Sequence, residues 1–151
     1  MNAINPPPDT LPAPDACPRP DAADSGPIVD VYRNLNTGGL SGRAVSGPAR
    51  GRVIWHAQTV LIRNAHFRVQ PGGQARARRE RQRNVHAFVR GHAAPDADVT
   101  PFLGDPALTP VRYNPFDLDG FATPSGLIVT TAVLVVISGG VMRAQLSRPI
   151  D

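Results

Sequence analysis

The sequence predicts a mostly β (α+β) protein: an antiparallel β-meander or small open barrel carrying one short basic helix, preceded by a disordered tail. Three observations lead there. Short runs rich in β-branched residues recur about every eight to twelve residues from Ile28 onward, punctuated by Gly, Pro and Asn. Only Gln74 to Arg83 has the composition of a helix. Residues 1–27 hold eight of the seventeen prolines and few large apolar groups, so burial there cannot offset the entropy of ordering.

The elements follow in order. Residues 1–27 form the disordered Pro-rich tail, and residues 28–148 a single compact β-rich domain. Ile28-Val29-Asp30-Val31-Tyr32-Arg33 reads as a strand, closed by the turn residues Asn36-Thr37-Gly38-Gly39. A second strand from Leu40 to Val45 ends at Ser46-Gly47-Pro48, and Arg52 to Ala57 makes a third. The fourth, Thr59 to Val69, puts Ala65, Phe67 and Val69 on one face and His66 and Arg68 on the other, with Pro71 closing it.

The helix follows over residues 74–83, where Arg76 and Glu80 lie four apart and Glu80 and Arg83 three apart, spacings that allow pairing. Its apolar stripe is only Ala75 and Ala77, and Asn84 is positioned to end it. Val85 to Arg90 reads as a strand and 93–110 as a proline-punctuated loop. Val111 to Asn114 is another short strand, stopped by Pro115. Gly126 to Met142 carries no charge, yet falls short of the roughly 20 apolar residues that a membrane span needs. It reads instead as a buried hairpin, Leu127–Ile137 with Val141–Leu146, turning at Ser138-Gly139-Gly140.

Charge is the functional signal. The net charge is +4, and all sixteen basic residues are arginine. Residues 28–94 hold twelve arginines against Asp30 and Glu80, whereas the segments before and after are each net acidic by three. A basic middle between acidic ends implies a polyanion partner or neutralisation between segments. Arg76, Arg78, Arg79, Arg81 and Arg83 fall within eight positions; Arg52, Arg68 and Arg90 on the neighbouring strands extend the candidate surface. Guanidinium groups suit phosphate and carboxylate, so the expected partner is nucleic acid or an acidic protein. Only Trp55, Phe67 and Phe88 interleave this region, which favours backbone contact over base stacking.

Other chemistries lack residues. His56, His66, His86 and His92 match no zinc spacing, and no carboxylate stands in register with them. A candidate pocket of Asn84 and His86, joined by His66 if their strands were neighbours, could support acid–base chemistry in a small nucleotide-handling hydrolase. Asp117-Leu118-Asp119-Gly120 lacks the remaining ligands of a calcium loop, and Gly47 to Arg52 lacks the lysine of a phosphate loop. Cys17, the single cysteine, excludes an intramolecular disulfide. No catalytic residue, metal ligand or cofactor is assigned, and an enzyme is the less expected outcome. No basic-then-apolar leader opens the chain, so a cytoplasmic location is expected.

Val31 to Asn36, Arg52 to Ala57, His66 to Gly91 and Val111 to Phe116 together resemble a group of small uncharacterised proteins of bacteriophages and prophages. The most distinctive piece is Gly73-Gln74-Ala75-Arg76 continuing to Arg83-Asn84-Val85-His86-Ala87-Phe88-Val89. The resemblance covers roughly residues 29–146. It implies a phage or prophage accessory protein working in the host cytoplasm, and it implies no catalytic assignment.

Overall fold

The computed structural model describes residues 27–146. The tail expected over residues 1–27 lies outside the described residues except for Pro27, as does the domain end at residue 148. Among the described residues, eight strands form one open antiparallel sheet with a single α-helix: β1 (Ile28–Arg33), β2 (Leu40–Ala44), β3 (Val53–Ala57), β4 (Thr59–Val69), α1 (Pro71–Glu80), β5 (Ala87–Pro95), β6 (Thr109–Val111), β7 (Thr131–Ser138) and β8 (Val141–Leu146). The strand order is β3-β2-β1-β5-β4-β7-β8-β6. Meander connections hold for β1 to β3 and for β7 to β8. Consecutive β4 and β5 also pair, across α1, but strand order departs from a simple meander because β5 inserts between β1 and β4, and β6 closes the far edge beside β8.

Residue pattern explains each piece. Gly139 and Gly140 both have positive φ (61° and 77°), as a two-residue turn between right-twisting strands requires. In β4, Asn64 at φ 52° marks a register shift against β5. The extra residue switches parity, so Val60 and Ile62 before it and Ala65 and Phe67 after it all reach the same core. That core gathers Val29, Val31, Val89, Val135 and Ile137 with Phe121 from the loop after β6. A second cluster, Val99, Leu108, Leu134 and Val136, forms where residues 96–108 cover the other face of β7. This coverage buries Leu134 through Ile137 on both faces, which accounts for a strand without charge.

Several boundaries differ from expectation. The helix runs Pro71–Glu80 rather than 74–83. Pro71 does not merely close β4; it occupies the first turn, where its missing N–H costs nothing. The helix ends at Arg81, held left-handed at φ 55°, and Gln82 N–H closes on the Ala77 carbonyl at 3.1 Å, so Asn84 is not its terminator. The strand expected at Val85 begins at Ala87 and continues to Pro95, since its partners on β4 extend that far. The loop expected over 93–110 therefore loses both ends, to β5 and β6, and keeps a 3-10 turn at Thr100–Phe102. The strand placed at 111–114 is β6, which ends at Val111 because Arg112 pairs instead with Ala122.

Candidate functional site

The arginine-rich helix has almost no apolar face, so polar contacts hold it. Gly73, Gln74, Ala77 and Arg78 share one side at helical spacing, and Ala77 is fully buried. Arg78 donates through Nε to the Pro115 carbonyl at 2.6 Å. Its Nη2 donates to the Leu118 carbonyl at 2.9 Å and to Asp119 Oδ1 at 3.1 Å. Asp119 is almost wholly exposed, so the ion pair adds little. The two carbonyl bonds fasten loop 112–121 to the helix.

Beneath the helix lies a directional hydrogen-bond chain. Asn84 Nδ2 donates to the Gly73 carbonyl at 3.2 Å, which orients its amide. Its Oδ1 then faces His86 Nδ1 at 2.7 Å, so that ring nitrogen carries the proton. His86 Nε2 accepts from the Tyr113 hydroxyl at 2.6 Å, and Tyr113 in turn accepts from Gln74 Nε2 at 3.1 Å. Gln74 also donates to the Asp119 carbonyl. Both ring nitrogens of His86, both ends of the Asn84 amide and the Tyr113 hydroxyl are bonded when His86 is neutral, and His86 is only 2% exposed.

Burial pushes the His86 pKa below 6.5; the Asn84 main chain opposes this, and the nearby Arg78 charge adds to it. Burial also raises the Tyr113 pKa. The folded state thus binds fewer protons at His86 than the unfolded chain does. Its contribution to stability is present above pH 6.5 and is lost as pH falls from there through the lower folded value. The urea midpoint is expected to drop on going from pH 7.5 to 5.5, and the drop should be smaller in His86→Gln. Equal drops in both proteins would exclude His86 as the source.

The other expected site residues separate. Arg76, Arg79, Arg81 and Arg83 are exposed, and none makes an ion pair among the described residues. The expected pairing of Glu80 with Arg76 or Arg83 does not form there. Arg83 lies over the Phe116 ring at 5.5 Å, and Arg76 and Arg83 border a shallow depression with Asn84. Arg90 is spent on the sheet: its Nε and Nη2 reach both oxygens of buried Asp30 at 2.8 and 3.0 Å, with Arg43 on the other side. Arg68 is exposed on β4 opposite Phe88. Arg52 precedes β3 at the end of the sheet away from α1, so it does not join the helix group.

The imagined meeting of His66 and His86 does not occur. His66 stands opposite Arg90 in register, whereas His86 precedes β5. Asn84 and His86 do line one small depression, with Tyr32, Arg83 and Tyr113, and both ring nitrogens of His86 are engaged there by Asn84 and Tyr113. Among the described residues, no group of three or more His, Cys, Asp or Glu could hold a metal ion, and no helix is long and apolar enough to cross a membrane. Sequence reasoning missed Tyr113, Gln74 and Asp30. Only Asp30 left a signal, as a lone carboxylate inside an apolar strand.

The sequence profile described as Mycobacterium phage L5 gene 82 protein matches residues 22–145. The Gene 82 protein of Mycobacterium phage L5 is 34% identical over 101 residues, covering 62% of this chain and 75% of that protein. No solved structure matches the chain.

Proposed function

The chain belongs to the Mycobacterium phage L5 gene 82 protein family, and from that premise we propose that it is a phage accessory protein that binds the phosphate backbone of nucleic acid through α1 and the turn after it. One observation carries this reading. Four guanidinium groups, those of Arg76 and Arg79 on α1 and of Arg81 and Arg83 in the turn after it, are exposed and without an ion pair among the described residues, and Arg78 and Gln74 anchor the helix that presents them. Like charges gathered this closely repel one another, and a polyanion relieves that repulsion by displacing its own counterions. Arg81 adds weight, because a non-glycine residue at positive φ costs about 1 kcal/mol that glycine would not. The absence of an aromatic platform on α1 favours phosphate contact over base reading.

The test is fluorescence anisotropy of the full chain with a short random-sequence DNA duplex, run in parallel with an unstructured polyglutamate peptide of equal charge. Duplex binding is expected in about 50 mM salt, weakening steeply by about 200 mM, with no dependence on base sequence. No duplex binding at the lower salt would overturn the proposal. Tighter binding of the polyglutamate would transfer the surface to an acidic protein partner.

A further inference from the structure

The cleft where the sheet curls back on itself is unused by the nucleic-acid reading, and it is built for a different ligand. Its volume is about 210 Å³. Its walls are core side chains from strands that are distant in sheet order: Val31 from β1, Val89 from β5, Val111 from β6, Ile137 from β7 and Met142 from β8, with Phe121 on the floor. An apolar cavity of about 150 Å³ is known to stay dry and accept a benzene ring. The apolar walls suit an apolar guest, while Tyr32, Tyr113 and Gly140 also line this open cleft and bring polar groups to it.

The mouth supplies the second half of the argument. Arg33 lies at the end of β1 with the same parity as Val29 and Val31, and it lines the cleft. Its guanidinium is exposed, and among the described residues its contact is one long bond of 3.4 Å to the Gly140 carbonyl. Arg112 also lines the mouth, but Asp117 neutralises it at 3.3 Å. Arg83 adds positive charge from the adjoining depression, which it borders together with Arg33. An apolar interior with uncompensated positive charge at its rim is the pattern that holds an amphipathic anion, its tail buried and its head on a guanidinium.

We propose that this cleft binds a small carboxylate carrying a single apolar ring or a comparably short chain, with Arg33 as the anchor for the carboxylate and Val31, Val111, Phe121 and Met142 around the apolar part. Arg33 and the apolar walls take no part in nucleic-acid binding by α1, so either site can fail without the other; Arg83 is the residue counted in both.

The probe is phenylacetate, and 2-phenylacetamide serves as its uncharged counterpart. Both are titrated into the full chain and followed by amide chemical shifts. Phenylacetate is expected to give saturable shifts at Val31, Val89, Val111 and Met142. Arg33→Gln, an exposed substitution, should weaken phenylacetate about tenfold and leave the amide unaffected. Met142→Trp, at a half-buried position, should fill the cleft and abolish both. Should that variant misfold, its spectrum will show it, and the comparison of the two probes in Arg33→Gln decides alone. Absence of saturable shifts at these residues, equal binding of both probes in wild type, or shifts confined to the arginines of α1 would each overturn the proposal.

Discussion

Replacing Arg76, Arg79, Arg81 and Arg83 together by glutamine is expected to lower duplex affinity by at least about a hundredfold at about 50 mM salt. The reasoning is a count of counterions. Four phosphates neutralised by the four exposed guanidinium groups would give a slope of log K against log salt near −3.6, at about −0.9 per phosphate. A slope of that size changes affinity roughly a hundredfold between about 50 and about 200 mM. Removing the four charges should leave only residual salt dependence. Glutamine is nearly as good a helix former as arginine and the four positions are exposed, so stability should fall by no more than about 1 kcal/mol, chiefly through loss of Arg83 from the Phe116 ring. The variant therefore separates charge from fold. If its binding and salt slope match wild type, the phosphates meet some other surface.

Arg78 belongs outside that set, although it sits in the same run of sequence. Its side chain donates to two main-chain carbonyls of loop 112–121 and is committed to holding the helix. Substituting it should weaken binding only indirectly, through looser docking, and should lower the melting temperature further than the quadruple variant does. One run of arginines thus divides by its contacts into an anchor bonded to loop 112–121 and a group left to water.

That division shows what was legible in the sequence. Strand positions could be read because alternation and turn residues are local signals: β1, β4 and β8 lie where the pattern places them. Strand order could not, because the insertion of β5 between β1 and β4 depends on pairings far apart in the chain. The start of the helix was hidden by Gly72 and Gly73, which have poor helix propensity, and by Pro71, which serves equally as a strand terminator and as a first-turn residue. Arg90 looked like part of a basic surface, yet its position beside Asp30 across two strands consumes it. The link from His86 to Tyr113 spans 27 residues and that from Gln74 to Tyr113 spans 39, so no window of sequence contains them.

A large stability effect is expected at Gly73, and the adjacent Gly72 supplies its control. Both are glycines in the first turns of α1, where alanine is intrinsically better by about 1 kcal/mol. At Gly72 an added Cβ meets nothing within 4 Å, so Gly72→Ala should stabilise by about 0.5 to 1 kcal/mol. At Gly73 the added Cβ falls on the Cβ of His86, a backbone-attached atom that cannot swing aside. The helix must lift, and lifting it strains the bond from Asn84 to the Gly73 carbonyl and the chain running through His86 to Tyr113. Overpacking costs about 1 to 3 kcal/mol, and a weakened buried hydrogen bond about 1 more, which together outweigh the gain in propensity. Gly73→Ala should therefore destabilise by about 2 kcal/mol, whereas Gly72→Ala acts in the opposite direction. Urea denaturation of the two variants beside wild type reads both signs. A stabilised Gly73→Ala protein would mean that the helix does not rest on His86, and the anchored presentation of the four exposed arginines would lose its physical basis.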